Sequence, residues 1–361
     1  MSDGVRSRAL RAAMEKNGVG ALLVTHLPDV RWLCGFSGSN AALAVTAKAA
    51  VLFTDGRYTV QAKQQVRGAR VVIAKQSALK EACSLLESVA KKTWFDPEHT
   101  TVAALDMMRS AISGKIRRSF FVALKKPLIS ELRMVKDADE LRLMEKAAAL
   151  GDRVFNDLLP HIASGIAETE IAARLEFLAR GMGAEGMSFD TIVASGERSA
   201  MPHGKASSQR VARNGFITLD FGVILKGYCS DMTRTVCVGK LSGEQRAAYE
   251  VVLEAQQAGV AAVKPGATCA EVDEAARSVL RKAGLARYFT HSTGHGVGLE
   301  IHEAPRLAAG QTLELKPGMV VTVEPGVYLA GKFGIRIEDM VAVTQRGNKV
   351  LTRAAKALIE L

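Results

Sequence analysis

The sequence predicts an α+β protein built as two domains, a smaller α/β layer followed by a larger antiparallel α+β domain. Three observations carry this reading. At 361 residues the chain exceeds the size at which a single hydrophobic core keeps growing. Through the first third, short β-rich runs alternate with helical patterns, as in α/β layers. Beyond it, strands and helices come in blocks with hairpin-like pairs, which points to an antiparallel sheet.

Residues 2–16 space Val5, Leu10, Ala13 and Met14 along one face of an amphipathic helix. Arg6, Arg8 and Arg11 mix there with Asp3 and Glu15, and no apolar stretch with a small-residue cleavage pattern follows, so a secretory signal is not expected. Runs 20–25, 42–46 and 50–54 are apolar, β-rich and bounded by turn residues. Residues 58–66 and 77–90 read as helices, with a strand at 70–74 between them. Asp55, in Asp55-Gly56-Arg57-Tyr58, falls between strand and helix, where an N-cap accounts for it without chemistry. Pro127 interrupts the pattern, and the boundary is placed there, giving domains 1–127 and 128–361. A long helix at 138–159 opens the second domain. Strands follow at 189–194, 216–223, 227–238, 319–323 and 334–343, with helices at 168–180, 243–262 and 270–283.

Composition narrows the function. Apolar residues at 48% and charged residues at 24% describe an ordinary globular chain with a large core. No apolar run approaches the roughly 20 residues that span a bilayer, so no membrane role is expected. The net charge of +11 raises nucleic-acid binding, but the basic residues are dispersed, in short pairs such as Lys91-Lys92 and Lys125-Lys126. Aromatics at 5% offer no base-stacking platform, so no nucleic-acid partner is expected. Five scattered cysteines without a CxxC pair imply buried thiols in a reducing compartment, hence the cytoplasm.

The chemistry concentrates in the second half. Asp220 and Asp231 lie on two β-rich runs either side of Leu225-Lys226-Gly227. A hairpin closing there would set them opposite each other, with Cβ atoms about 4.5–5.5 Å apart. Apposed carboxylates repel unless a cation or a shared proton lies between them. On this pair alone, two solvated aspartates on an exposed face remain an equal reading. Glu324 and Glu338 repeat the logic around the loop 326–334, with a parity compatible with one shared face. Arg336, two residues from Glu338 and so on its side of the strand, could account for Glu338 as a plain salt bridge, but not for all four carboxylates.

Of seven histidines, three fall in residues 291–302, which read HSTGHGVGLEIH, and His203 sits in the loop Met201-Pro202-His203-Gly204. A lone histidine is more often structural, whereas His291, His295 and His302 among glycines point to a site. The glycines beside His295 would let backbone and imidazole approach a ligand closely. No GxGxxG, P-loop or GxSxG pattern competes with this reading.

Residues 291–303 resemble the signature of aminopeptidase P and proline dipeptidase, members of the pita-bread metallopeptidases. The ordered set Asp220, Asp231, His295, Glu324 and Glu338 is similar to that family's dinuclear ligand set, as are Asp220-Phe221-Gly222, Glu324-Pro325-Gly326 and Arg336-Ile337-Glu338-Asp339 around it. The first domain resembles the creatinase-type N-terminal domain that precedes such catalytic domains. The resemblance implies that Asp220 chelates one ion, that His295 and Glu324 hold the other, and that Asp231 and Glu338 bridge them. It implies that His203, His291 and His302 line the substrate pocket, that Glu324, His203 and His302 act in catalysis, and that Arg336 orients a ligand carboxylate. Two divalent ions are the implied cofactors, and four carboxylates with one imidazole suit Mn²⁺ first, with Co²⁺ or Zn²⁺ as substitutes.

The implied activity is that of an Xaa-Pro aminopeptidase, which hydrolyses the bond before a penultimate proline with a metal-activated hydroxide. A strict Xaa-Pro dipeptidase (prolidase) shares every ligand and is the alternative. A catalytically inactive pita-bread binding protein is a remote one, disfavoured by the complete ligand set. The implied partners are peptides with proline in second position, and the implied assembly is a homodimer or homotetramer.

Overall fold

The structure, a computed structural model, describes residues 3–114 and 119–361. The chain divides into two compact units, Met1–Arg133 and Met134–Leu361.

The first unit is built on one six-stranded sheet, in the order Arg70–Ile73, Ala50–Thr54, Ala41–Thr46, Ala21–Val24, Thr93–Phe95, Phe121–Ala123. Its central pairs are antiparallel and its flanking pairs parallel, so the layer is mixed. The helix Ala78–Val89 starts at Ser77, whose hydroxyl accepts from the Lys80 N–H. It lays Ala78, Ala82 and Leu86, one helical face, against Ala42, Ala44 and Phe53 of the sheet. Asp55 caps as its position suggests, accepting from the Arg57 N–H at 3.0 Å. The helices Leu27–Cys34 and Val102–Ser110 and the strands Thr93–Phe95 and Phe121–Ala123 escape a reading by periodicity, being too short to establish one. The division falls after Arg133 rather than at Pro127. The helix Leu128–Arg133 belongs to the first unit because Arg133 is buried there against Asp29 at 2.7 Å.

In the second unit, three helices begin in reciprocal caps. Asp137 and Glu140 open Ala138–Leu158, Ser242 and Gln245 open Gly243–Ala262, and Thr268 and Glu271 open Cys269–Lys282. Its strand pairs are antiparallel. One sheet runs Met232–Val238, Gly215–Phe221, Ile192–Ser195. Another runs Glu303–Leu307, Gly294–Gly296, Val320–Val323, Asp339–Val343, Asn348–Val350. Gly326–Leu329 and Phe333–Arg336 form a two-stranded ribbon between members of the second sheet.

The hairpin expected after Asp220 exists, but its register differs. The turn is Lys226-Gly227, with φ of 51° and 84°, the two-residue left-handed turn that matches strand twist. That turn places Asp220 opposite Thr233, not Asp231. Asp231 lies two residues before Thr233 and therefore on the same face, diagonal to Asp220. The glutamate pair keeps its expected register. Val323 pairs with Asp339 on one side of the interruption and Gly326 with Arg336 on the other, so Glu324 stands opposite Glu338.

Behind these strands lies a buried ionic clamp. Arg234 donates to Asp339 at 2.8 Å and to the carbonyls of Glu338, Ala354 and Ala355. Asp339 also receives Lys356 at 2.5 Å and Gln256 at 2.9 Å. Breaking such a pair on one side strands a buried charge, typically at about 3–5 kcal/mol. Asp339→Ala is therefore expected to lower unfolding stability by about that amount, read as a reduced urea midpoint, whereas removing the exposed Glu244 partner of Lys332 should leave the midpoint nearly unchanged.

Candidate metal centre

The carboxylate-bearing strands and the histidine loops meet at a cavity of about 590 Å³. It is lined by Asp220, Asp231, His295, Glu324 and Glu338, and also by His203, His291, His302 and Arg336, so every residue singled out in the sequence reaches one place. The ligating atoms of Asp231, His295 and Glu338 all lie within 4.8 Å of one another. Asp220, Asp231 and Glu338 are buried, at 8%, 5% and 2% exposure.

Strand alternation explains the arrangement. Asp231, Thr233 and Thr235 point to the cavity side, while Arg234 points to the clamp behind. Thr233 donates to Glu338 at 2.7 Å and in turn accepts from the Arg336 Nε at 3.1 Å. Arg336 does not pair with Glu338. Its guanidinium donates to Asp220 Oδ2 at 2.5 Å, to the Tyr328 hydroxyl at 2.7 Å and to the Pro202 carbonyl at 3.1 Å. One cation therefore fixes an aspartate, a tyrosine and the loop that carries His203.

His295 is oriented from both sides. Its Nδ1 lies 3.1 Å from the Gly296 carbonyl, which can only accept, so the proton sits on Nδ1. Nε2 then turns its lone pair toward Asp231 at 3.6 Å and Glu324 at 3.4 Å. Thr322 donates to Glu324 Oε1 at 3.2 Å and accepts from the His295 N–H at 3.0 Å. The flanking glycines serve the strands rather than a ligand. A methyl group at Gly294 would lie 1.9 Å from the Thr322 carbonyl oxygen, and one at Gly296 would lie 2.2 Å from that of Ala304.

His291 donates from Nδ1 to the Ser292 carbonyl at 2.8 Å and accepts the Tyr328 hydroxyl at Nε2, also at 2.8 Å. Both nitrogens are engaged, so it lines the cavity as a fixed neutral ring. His203 and His302 are exposed, and the only ring contact of His302 among the described residues is edge-on to His295, with centroids 4.4 Å apart.

Electrostatics follow the burial. Burial lifts the carboxyls of Asp231 and Glu338 well above the usual carboxylate range, and the neighbouring carboxylates add to it. Burial also pushes Glu324 up to about 7 against the pull of Arg336. Desolvation draws His295 and His291 down to about 4, and His302 below its ordinary value.

Residues 142–345 match the model of metallopeptidase family M24, and residues 6–135 match the creatinase/prolidase N-terminal domain. The chain belongs to metallopeptidase family M24. Its second unit is the family's pita-bread domain and its first the creatinase-type domain, and it is a hydrolase. It is 34% identical to an Xaa-Pro dipeptidase of Pyrococcus horikoshii, over 96% of each chain. Among solved structures it resembles an Xaa-Pro dipeptidase from Bacillus anthracis, at TM-score 0.95 and 39% identity over 100% of both chains. It also resembles an X-Pro aminopeptidase from Thermotoga maritima, at TM-score 0.88 and 35% identity over 97% of this chain and 100% of that one.

The M24 residues present here fit divalent metal. An unprotonated imidazole nitrogen facing two carboxylates is repulsive unless a cation lies among them, and Arg336 already serves Asp220. Four carboxylates and one imidazole form a hard donor set.

Reading the sequence residue by residue does not expose the supporting groups. Thr233 was accessible through strand alternation from Asp231. Thr322, two residues from Glu324, was open to the same argument, whereas Tyr328 and Arg306 carry no such signal, because Tyr328 meets His291 across 37 residues and Arg306 faces His295 only once their strands pair.

These shifts give a pH test. Between the ordinary 4.5 and about 7, the folded metal-free protein holds a proton on Glu324 that the unfolded chain has released. Metal-free stability should therefore fall as pH rises through that window, while protein in which divalent metal would neutralise these carboxylates should not follow. Calorimetric melts of chelated and reloaded protein at pH 5 and pH 7.5 are expected to show a wider gap at the higher pH, and a narrower one would refute the assignment.

Proposed function

We propose that this M24 metallopeptidase is an Xaa-Pro dipeptidase, with Asp220, Asp231, His295, Glu324 and Glu338 as the ligands of two divalent ions. This departs from the aminopeptidase reading that the motif first suggests. The observation that carries it is Arg306. This exposed arginine lines the cavity from the strand Glu303–Leu307, directly opposite His295, and has no acidic partner among the described residues. The cavity's other exposed cation, Lys205, is paired with Asp190 at 2.5 Å. In a dipeptide the free carboxylate lies one residue beyond the scissile bond, and a guanidinium binds it in a fork. A longer peptide carries a neutral amide there. The names of the Pyrococcus and Bacillus relatives support the same reading. The Thermotoga X-Pro aminopeptidase supports the aminopeptidase alternative.

When bound, two divalent ions would neutralise the carboxylates, lower the pKa of water and polarise the scissile carbonyl. The chain's own groups do the rest. Arg336 holds Asp220 in place, and Thr233 holds Glu338. Glu324 keeps Oε2 for carrying a proton to the departing proline nitrogen, since Thr322 occupies Oε1. His203 and His302 offer ring N–H donors to the oxygen on which charge develops. Mn²⁺ is the proposed native ion. Five buried cysteine thiols support a reducing compartment, and cytoplasmic residence is proposed on that ground. No helix among the described residues is long and apolar enough to cross a membrane. A homodimer or homotetramer remains the proposed assembly, to be read by light scattering.

Cleavage of Gly-Pro and Gly-Pro-Ala, with Mn²⁺ and after chelation, tests the reading. Metal-dependent cleavage confined to Gly-Pro is expected, and preferred release of glycine from the tripeptide would favour the aminopeptidase. Arg306→Ala should lose about 1.5–3 kcal/mol of binding to the dipeptide. That corresponds to a rise in KM of roughly 10–150-fold with a smaller change in kcat. Asp231→Ala should abolish turnover and lower the metal content after dialysis, and full activity with two ions retained would remove Asp231 from the ligand set.

A further inference from the structure

We infer that Arg198, seated on the buried carboxylate of Glu168, positions His203 and thereby sets turnover. This rests on the proposed reading of His203 as a donor in Xaa-Pro cleavage. His203 is exposed and lines the cavity. Among the described residues its ring makes no hydrogen bond, so the backbone that carries it decides its place. That backbone, residues 201–204, forms neither helix nor strand.

The loop hangs between two guanidinium groups. On one side of His203, the Pro202 carbonyl accepts from Arg336 at 3.1 Å. On the other, the Lys205 carbonyl accepts from Arg198 Nη2 at 2.6 Å. Arg336 is tied to Asp220, and so to the candidate metal centre. Arg198 is tied through Nε to both oxygens of Glu168, at 3.0 and 3.3 Å. Glu168 opens the helix Glu168–Gly181, and its side chain is 0% exposed.

The same carboxylate gathers both ends of the loop. Glu168 Oε1 accepts from the Ser195 N–H at 2.7 Å and the Ser195 hydroxyl at 2.9 Å. Oε2 accepts from the Ser207 N–H at 3.1 Å and the Ser207 hydroxyl at 2.7 Å. Other anchors act between these ends. Ser199 Oγ accepts from the Gly334 N–H at 2.8 Å, the Gly204 N–H donates to the Met201 carbonyl at 3.0 Å, and Lys205 bridges to Ile192. Losing Arg198 would therefore not unfold the loop. It would remove the planar fork that fixes the distance from Glu168 to the backbone two residues beyond His203. It would also leave Glu168 with only amide and hydroxyl donors among the described residues. A buried carboxylate without its cation takes up a proton or draws in water. Either response loosens Ser195 and Ser207 as well, and His203 shifts with the loop. A displacement of about 1 Å at a reacting group costs on the order of 10²-fold in rate.

The test uses the metal-loaded full-length chain. Arg198→Met is expected to lower kcat on Gly-Pro by roughly 10–100-fold, with KM within ~3-fold and metal content unchanged. His203→Ala added to Arg198→Met should cost little beyond His203→Ala alone, because both act through one ring. Arg198→Lys returns the charge but not the fork, so it should recover the melting temperature more fully than the rate. Amide hydrogen exchange, which needs no substrate, should quicken across residues 195–207 in Arg198→Met and stay unchanged in the strand Asp339–Val343. Wild-type kcat in a folded, fully loaded Arg198→Met overturns the inference, as does unchanged exchange across 195–207. A loss carried by KM, or by departed metal, overturns it as well, and so does wild-type kcat in His203→Ala. Equal recovery of rate and melting temperature in Arg198→Lys would reduce Arg198 to a structural ion pair. If Arg198→Met does not fold, Arg198→Lys is read in its place, with lowered kcat at a near wild-type melting temperature expected and wild-type kcat overturning the inference. If the wild-type protein cleaves neither substrate, the proposed function fails, and the exchange measurement still decides whether Arg198 holds the loop.

Discussion

Carboxylates gathered around one imidazole nitrogen repel each other, and much of the second unit answers that repulsion. Asp231, His295 and Glu338 bring ligating atoms within 4.8 Å of one another in a buried setting. Water cannot screen charge there as it does at the surface. Three of the four carboxylates therefore have a specific neighbour. Asp220 has the Arg336 guanidinium, Glu338 the Thr233 hydroxyl and Glu324 the Thr322 hydroxyl. The histidine is turned so that its lone pair, not its proton, faces the acids. These arrangements orient the charges without cancelling them, and the remainder is what divalent metal would neutralise.

Holding such a set together requires a frame stiffer than the repulsion. The ligand-bearing strands come from two sheets, and a clamp tied by Arg234 and Asp339 crosses between them on the face away from the cavity. Arg234 follows Thr233 and Asp339 follows Glu338, so each strand turns one residue to the site and the next to the clamp. Attraction on one face thus balances repulsion on the other. The same economy appears at Arg336, which ties Asp220 to Tyr328 and, through Pro202, to the loop of His203.

Under the proposed function the cavity's outer wall has a different task, which is to recognise the dipeptide. His291 is locked by two hydrogen bonds and contributes shape, while His203 and His302 keep their rings available. Arg306 brings an unpaired positive charge to the rim on the strand beside His295. A site with carboxylates at its floor and a guanidinium at its edge suits a small peptide whose own ends carry opposite charges.

Much of this was legible in the chain itself. The helix Gly243–Ala262, the strands around Asp220 and Asp339, and the glutamate register across its loop follow from apolar periodicity and turn residues, which are local. The five candidate ligands and the four residues around them stood out as charged or imidazole groups inside apolar runs. Long-range pairing decided the rest. The Lys226-Gly227 turn moved Asp231 to a diagonal of Asp220, a shift that strand composition does not encode. Arg336 chose Asp220 over Glu338 because the guanidinium reaches out of its ribbon to the strand Gly215–Phe221 of another sheet. Tyr328 acquires its role only where segments distant in sequence become neighbours. Sequence determined which residues could do chemistry, since residue type and local period are written in it. Tertiary structure decided which of them touch, since contact depends on register and closure.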